Sequence, residues 1–164
     1  ASADLTAAVN QAYQIGRSPE LVPNLLSQAR TVLFGNEITP PLRFDHAMSH
    51  ELPYPAGHFD REVSSLFFHH LSWANKERAA RELFRVLKPG ASLHVADWGR
   101  ASNALMRGLF LTIQALDGFA NTNDNVRGRL VPLFESAGLV EVSERQMFST
   151  IFGTMALYRA VRPN

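Results

Sequence analysis

The amino-acid sequence predicts an α/β fold in which a mainly parallel sheet is covered by helices on both faces. Strand-like and helix-like patterns alternate along the chain, and a segment of helical period at 75–87 separates two apolar segments at 59–68 and 91–96. Two further strand-like segments close the chain and predict an antiparallel hairpin. Strands that alternate with helices in this order are typical of parallel sheets buried on both faces.

The first third of the chain predicts two helices and one strand. Apolar residues at helical spacing from Leu5 predict a short helix that ends near Tyr13. Ser18 is a natural N-cap and Pro19 suits the first helical position, so we expect a second helix that runs to about Arg30. A loop with Gly and Pro follows at 31–41, and the alternation of residues 42–47 predicts a half-buried strand.

The middle of the chain predicts two strands joined by a helix. Residues 59–68 are rich in apolar side chains and lack helix caps, which favours a buried strand over a helix. The helix at 75–87 is expected to end at Lys88-Pro89-Gly90, because proline and glycine there stop a helix. The next strand, 91–96, leads into Asp97.

The last third predicts two helices, at 101–119 and 125–137, followed by hairpin strands at 140–148 and 154–161. Gly138 is expected to close the second helix. One stripe of apolar side chains on the first helix either packs in the core or covers an acceptor pocket. Its members are Leu105, Leu109, Phe110, Ile113 and Leu116.

The composition describes a single globular domain over residues 1–164. The chain is 46% hydrophobic, and its 16 basic and 15 acidic residues give a net charge of +1. The 19% charged fraction, with ordinary Gly and Pro counts, argues against disorder, and the near-neutral balance argues against non-specific nucleic-acid binding. Because the chain has no cysteine, it excludes a disulfide framework, a thiolate metal site and a cysteine nucleophile.

Targeting signals are not evident in the sequence. No segment approaches the roughly 20 apolar residues that a membrane helix needs, and the first residues lack the basic and apolar regions of a signal peptide. We therefore predict a cytoplasmic protein that does not contact membranes.

No nucleophile elbow or phosphate-binding loop occurs, so serine hydrolases and nucleoside triphosphatases lack support.

Ligands of open α/β sheets bind beyond the carboxyl ends of the strands, which points to His69 and Asp97. His69 is a candidate base, and Asp97 could orient a substrate amine or hydroxyl. The structural alternatives are that one of His69 and His70 caps the next helix while the other is a half-buried ring, and that Asp97 caps the helix after it. Two adjacent histidines cannot both face one way in an extended strand and match no metal-ligand spacing, so no metal site is predicted.

Three blocks of the chain carry ordered motifs. They are 51–60 (ELPYPAGHFD) with 64–71 (SSLFFHHL), then 81–91 (RELFRVLKPGA) with 93–99 (LHVADWG), and finally 133–139 with 153–163. Together they resemble the type 11 group of class I S-adenosylmethionine-dependent methyltransferases. The ordered set is far more specific than any one motif.

This resemblance implies a Rossmann-like methyltransferase sheet with a C-terminal antiparallel hairpin, S-adenosylmethionine as methyl donor and a small-molecule acceptor. Ser65 and Leu66 would line the methionine end of the donor, and Met48 and Ser49 its adenine. His69 and Asp97 would lie nearest the acceptor, and an apolar roof would suit a hydrophobic one.

The first 50 residues match the family pattern more weakly than residues 50–163. The glycine-rich turn of the family aligns with Ala1-Ser2-Ala3, where both glycine positions hold alanine, and strand 1 is absent before it. The usual acidic residue at the end of strand 2 aligns with Gly16, next to Arg17. Because the first residue is not Met, we expect a longer gene product or a processed start.

Two functions of different classes remain open. One is a methyltransferase; the other is a non-catalytic, methyltransferase-like binding or assembly module that has lost the cofactor site. In the second case exposed strand edges would pair with another chain, as a homodimer or a heteromeric scaffold.

Glu62 stands where the family has an apolar residue, and burial of that carboxylate is costly unless it is neutralised or paired.

Overall fold

The structure is a computed structural model that describes Asp45 and residues 47–164. The helices predicted before residue 31 and most of the strand predicted at 42–47 therefore lie outside these residues. The predicted absence of strand 1 also concerns a part of the chain outside them. Residues Ala47–Asn164 form one compact unit. Within this unit the elements follow the predicted alternation of strands and helices.

The described elements begin with a strand and end with a hairpin. In chain order they are β1 (Phe59–Ser65), a 3₁₀ helix (Phe68–His70), α1 (Trp73–Val86), β2 (Leu87–Trp98), α2 (Ala104–Asp117), α3 (Phe119–Val126), α4 (Leu130–Ser136), β3 (Val140–Thr150) and β4 (Gly153–Val161). None of the helices in this part of the chain is long and apolar enough to cross a membrane.

The four described strands form one sheet in the order β1-β2-β4-β3. β1 and β2 are parallel, with Ser65 opposite Ala96, whereas β4 runs antiparallel to both of its neighbours. The predicted α/β class and terminal hairpin are thereby confirmed. The parallel pairing places the carboxyl ends of β1 and β2 at the same edge of the sheet.

The β1–α1–β2 unit follows its sequence closely. Ser72 caps α1, since its side chain accepts a hydrogen bond from the Asn75 N–H, and the buried face of the helix includes Ala79 and Ala80. The strand after it begins at Leu87, four residues earlier than predicted. The predicted turn survives inside it as a break in register, because Phe59 lies opposite Leu87 whereas Arg61 already lies opposite Ser92.

The helices after β2 differ from the prediction, because two glycines divide what the periodicity suggested. Gly118 has φ +92 and ends α2, and Gly128 has φ +71 and separates α3 from α4. Both dihedrals lie in the left-handed region, which glycine adopts at little cost and which interrupts a right-handed helix. Three short helices therefore replace the two longer ones at 101–119 and 125–137.

The main core lies between the sheet and helices α1 and α4. It includes the edge-to-face pair Phe68 and Phe134, whose ring centroids are 5.3 Å apart. The predicted apolar stripe of α2 divides in two. Phe110 is buried against Trp98, whereas Leu105 and Leu116 are 68% and 79% exposed, so the stripe is only partly core.

Candidate functional site

The carboxylate of Asp97 lies at the end of β2, where it is fully buried. Its Oδ2 accepts hydrogen bonds from the backbone N–H groups of Phe67 and Phe68 at 3.1 and 2.7 Å. Its Oδ1 accepts from the Trp98 N–H at 2.7 Å and from the Asn125 side chain at 3.2 Å. Donors on every side compensate the burial of the charge, and they fix the chain after β1 against the end of β2.

His69 is the remaining donor to Asp97 and is itself 97% buried, with 3% exposure. Its Nδ1 lies 2.7 Å from Asp97 Oδ1. Because the carboxylate oxygen accepts, Nδ1 carries the proton, and the lone pair of the neutral ring is on Nε2. The 3₁₀ helix also places the His70 ring beside it, with centroids 3.9 Å apart. The expectation that adjacent histidines cannot share a direction applied to a strand and is wrong for this turn.

Asp117, the last residue of α2, completes the cluster. Its Oδ2 lies 3.6 Å from His69 Nε2, and its Oδ1 lies 3.9 Å from His70 Nδ1. Burial, followed by the neighbouring His69, lowers the pKa of the His70 imidazole. The Asn121 side chain donates to the His70 carbonyl at 3.1 Å and joins α3 to the turn.

The backbone reverses sharply where β1 ends, between Ser65 and the 3₁₀ helix. Leu66 has φ +50, a left-handed conformation that costs a non-glycine residue energy, and its N–H donates to the Ala96 carbonyl at 2.8 Å. Both Ser65 and Leu66 are exposed. Ser65 and Leu66, which we predicted to line the methyl donor, therefore adjoin the buried Asp97–His69 pair at one edge of the sheet.

The helix-capping roles that the sequence also allowed for the two histidines and for Asp97 are wrong. Ser72 caps α1, so neither His69 nor His70 does. Asn103 caps α2 by accepting a hydrogen bond from the Met106 N–H at 2.9 Å, so Asp97 is not that cap either. Asp97 instead holds the turn that carries His69.

The other predicted cofactor-binding residues are not joined to this cluster. Met48 is 61% exposed and forms an antiparallel bridge with Glu51, with Ser49 in the intervening turn. No hydrogen bond between described residues connects that turn to Ser65 or Leu66. The remaining ones, Ala1, Ser2, Ala3, Gly16 and Arg17, lie outside the described residues, so their roles stay predictions.

Glu62 is the second buried carboxylate of the sheet, and its surroundings differ. Neither of its side-chain oxygens has a hydrogen-bond partner in the part of the chain that the structure describes. Burial, with a smaller contribution from Glu82, raises its pKa to about 8. The free-energy cost of burying this carboxylate, which we expected from the sequence, is thus reduced by protonation rather than by pairing.

Asp117 and Asn125 are the site residues that sequence reasoning missed, whereas His70 was considered there beside His69. Asp117 lies inside the helix predicted at 101–119, and Asn125 at the start of the one predicted at 125–137. Asp117 directly precedes the turn at Gly118, and Asn125 lies in α3, between that turn and the one at Gly128. Only those glycines hinted in the sequence that the helices break there.

Comparison with known proteins agrees with this fold. A family model described as a methyltransferase domain, of type 11, matches residues 2–95 and thus includes residues 2–50. The ubiquinone/menaquinone biosynthesis C-methyltransferase of Azotobacter vinelandii is 28% identical over 91% of this chain and 66% of its own length. The enzyme of the same name from Pseudomonas fluorescens is 29% identical over 85% of this chain and 60% of its own.

A solved structure shows the same fold. The crystal structure of a protein from Bacillus halodurans described as a methyltransferase superposes with a TM-score of 0.65 at 18% identity, over 86% of this chain and 80% of that one. The chain spans 60 to 66% of the length of the two curated relatives. With a family model matching more than half of its residues, the chain belongs to the class I S-adenosylmethionine-dependent methyltransferases, in the type 11 methyltransferase-domain family.

Proposed function

We propose that this chain transfers a methyl group from S-adenosylmethionine to a small-molecule acceptor, with His69 as the base and Asp97 as the residue that orients it. The observation that carries the proposal is the buried hydrogen bond of 2.7 Å between these side chains. It lies where ligands of open α/β sheets bind, in a chain that belongs to this family.

The described residues fit one end of the donor. S-adenosylmethionine supplies an electrophilic methyl group when it is bound. Ser65 and Leu66 would hold its methionine end, because they are exposed at the end of β1 and the backbone there turns away from the sheet. Met48 and Ser49 would line the adenine. We assign Ala1, Ser2, Ala3, Gly16 and Arg17 to the same site on the family pattern alone.

His69 would act through Nε2, since Nδ1 is committed to Asp97. Nε2 would accept the proton that the acceptor atom loses, while bound S-adenosylmethionine would supply the methyl group and leave as S-adenosylhomocysteine. The buried Asp97 carboxylate stabilises the imidazolium that forms and keeps the ring in one orientation. Proximity and alignment supply the rest of the rate enhancement.

The acceptor is proposed to be hydrophobic. Leu116 and Phe119 flank Asp117 along the chain and are 79% and 56% exposed, so apolar surface adjoins the His69 cluster. The curated relatives are named for ubiquinone and menaquinone biosynthesis. Precursors of these quinones are therefore the first acceptors to test.

Binding of S-adenosylhomocysteine, measured by calorimetry on the intact gene product, tests the donor site. We expect saturable binding, and no detectable heat at millimolar ligand would overturn the proposal. Transfer of labelled methyl groups then tests the base. His69→Gln should lower kcat about 100-fold, because a positioned base contributes roughly that much, and should leave S-adenosylhomocysteine binding intact.

The matched control is His58→Gln. His58 is an exposed histidine that precedes β1, at the opposite end of the strand from His69. Its replacement should leave kcat and binding unchanged. Equal losses in both variants would mean that His69 has no special role in the transfer.

A non-catalytic module that assembles as a homodimer is the second candidate. It is favoured by β1, the outer strand of the described sheet, where Val63 is 76% exposed. Sedimentation of the intact gene product distinguishes the two when combined with the binding experiment. A dimer without S-adenosylhomocysteine binding would support this module. The cytoplasmic location remains a prediction.

A further inference from the structure

We infer that His69 Nε2, His70 Nδ1 and the Asp117 carboxylate bind a first-row divalent cation, with Zn²⁺ as the best match. One ligand atom from each of these residues lies within 4.8 Å of the other two. The inference goes beyond methyl transfer and does not depend on it.

The separations fit ligands of a shared ion better than hydrogen bonds. The two carboxylate–imidazole distances are 3.6 and 3.9 Å, both longer than an ordinary hydrogen bond. Two ligand atoms of the same Zn²⁺, each about 2.1 Å from the ion, lie roughly 3.4 Å apart in tetrahedral geometry. Small side-chain rotations would bring the three groups to that spacing.

The hydrogen bond to Asp97 leaves an unfavourable contact on the other side of His69. With the proton on Nδ1, the Nε2 lone pair of the neutral ring faces an oxygen of Asp117. Two lone pairs repel each other, so a positive particle is needed between them. That particle is either a second proton on the ring or a cation, and the nearby His70 nitrogen provides a third ligand for a cation.

The surroundings also have the form of a metal site. A histidine ligand usually donates its other N–H to a carboxylate, which fixes the ring and increases its basicity. Asp97 is that carboxylate, and backbone donors hold it in turn. The His70 side chain is 36% exposed and that of Asp117 11%, whereas that of His69 is 4% exposed. The ion would thus be held from the protein side and open to solvent on the other.

The ligand types determine the kind of ion. Two imidazoles and one carboxylate match the three protein ligands of zinc sites that keep an open fourth position. Mg²⁺ prefers oxygen ligands and is disfavoured here. An ion on Nε2 takes the lone pair that the proposed base uses, so metal binding and proton transfer are alternative states of His69.

Calorimetric titration of the metal-free chain with Zn²⁺ tests the inference without any methyl donor. We expect one Zn²⁺ to bind per chain and Mg²⁺ not to compete. Asp117→Asn and His70→Ala should each weaken binding at least tenfold, while thermal unfolding of the apo variants confirms that they fold. His58→Ala, which alters a histidine outside the cluster, should leave the affinity unchanged.

Nitrogen NMR of the His69 ring shows whether Zn²⁺ binds at Nε2. Zn²⁺ should shift the Nε2 resonance, because the ion would bind its lone pair. An Nε2 resonance that equimolar Zn²⁺ leaves unchanged, or Zn²⁺ binding that is unaffected by both cluster variants, would overturn the site. Neither result bears on S-adenosylhomocysteine binding, so the proposed function is tested separately.

Discussion

Two buried carboxylates on neighbouring parallel strands behave in opposite ways. Asp97, at the end of β2, accepts hydrogen bonds at both oxygens from backbone and side-chain donors. Glu62, within β1, has no partner among the described residues, and burial raises its pKa to about 8. Burial alone therefore does not decide what a carboxylate does in this sheet; the donors around it do.

The difference follows from position along the strands. Where the chain turns after β1, the N–H groups of Phe67 and Phe68 no longer take part in the sheet and point at Asp97 at the end of β2. Within β1 the N–H groups are directed along the sheet, and the face towards Glu82 offers Glu62 a second carboxylate instead of a donor. A strand end can thus hold a charge that the strand interior neutralises.

Removal of the Asp97 carboxylate should have the largest effect. Asp97→Ala leaves several buried donors without an acceptor, so we expect the free energy of unfolding to fall by about 3–5 kcal/mol. Denaturant titration measures the loss. Asp97→Asn should lose less, since its amide oxygen still accepts. A loss below about 1 kcal/mol in the alanine variant would contradict the role given to this carboxylate.

Glu62→Gln should have an intermediate effect that depends on pH. The pKa of Glu62 is about 8 in the folded chain against 4.5 in the reference state, so between these values only the folded chain keeps the proton. The wild type then loses stability as pH rises. Relative to wild type, the variant should gain about 2 kcal/mol between pH 5 and pH 8, a value reduced because the side chain is only partly buried.

Denaturant titrations of both proteins at the two pH values measure this gain. A difference between variant and wild type that is the same at pH 5 and pH 8 would show that Glu62 is ionised in the folded chain. Glu135→Gln, which alters an exposed carboxylate of α4, is the control and should show no pH-dependent difference.

Asp60→Asn should have the smallest effect, although it lies on the same strand. The Asp60 carboxylate is exposed and pairs with Lys88 at 2.7 Å, which lowers its pKa. Its contribution is present at neutral pH and is lost as pH falls through the lowered pKa. Solvent and salt screen such a pair, so the melting temperature should barely change at pH 7. A large drop would mean that exposure does not distinguish the carboxylates of β1.

The fold was predictable where the signal is local. The period of α1, its end near Pro89 and the alternation of the hairpin are properties of short segments, and the structure confirms them. The division of the later helices was missed because the apolar period continues across Gly118. There a single backbone dihedral outweighs the side-chain pattern.

The candidate site was predictable only in part. His69 and Asp97 follow strands, and the rule for open sheets places them at one edge. Asp117 and Asn125 reach the same place through tertiary packing, which no spacing in the sequence encodes. The proposed metal site was not predicted for a related reason, because the spacing of His69 and His70 was judged for a strand and not for a 3₁₀ helix.

The glycine after Asp117 has a consequence for engineering the cluster. A Cβ placed on Gly118 would meet nothing within 4 Å, so crowding does not require glycine there, whereas its φ of +92 does. Its ψ of +133 also lies outside the αL region that Asn and Asp tolerate, so any side chain at this position should shift the backbone. The end of α2 is therefore a place where the reach of Asp117 can be adjusted through the backbone, with the packed core left unaltered.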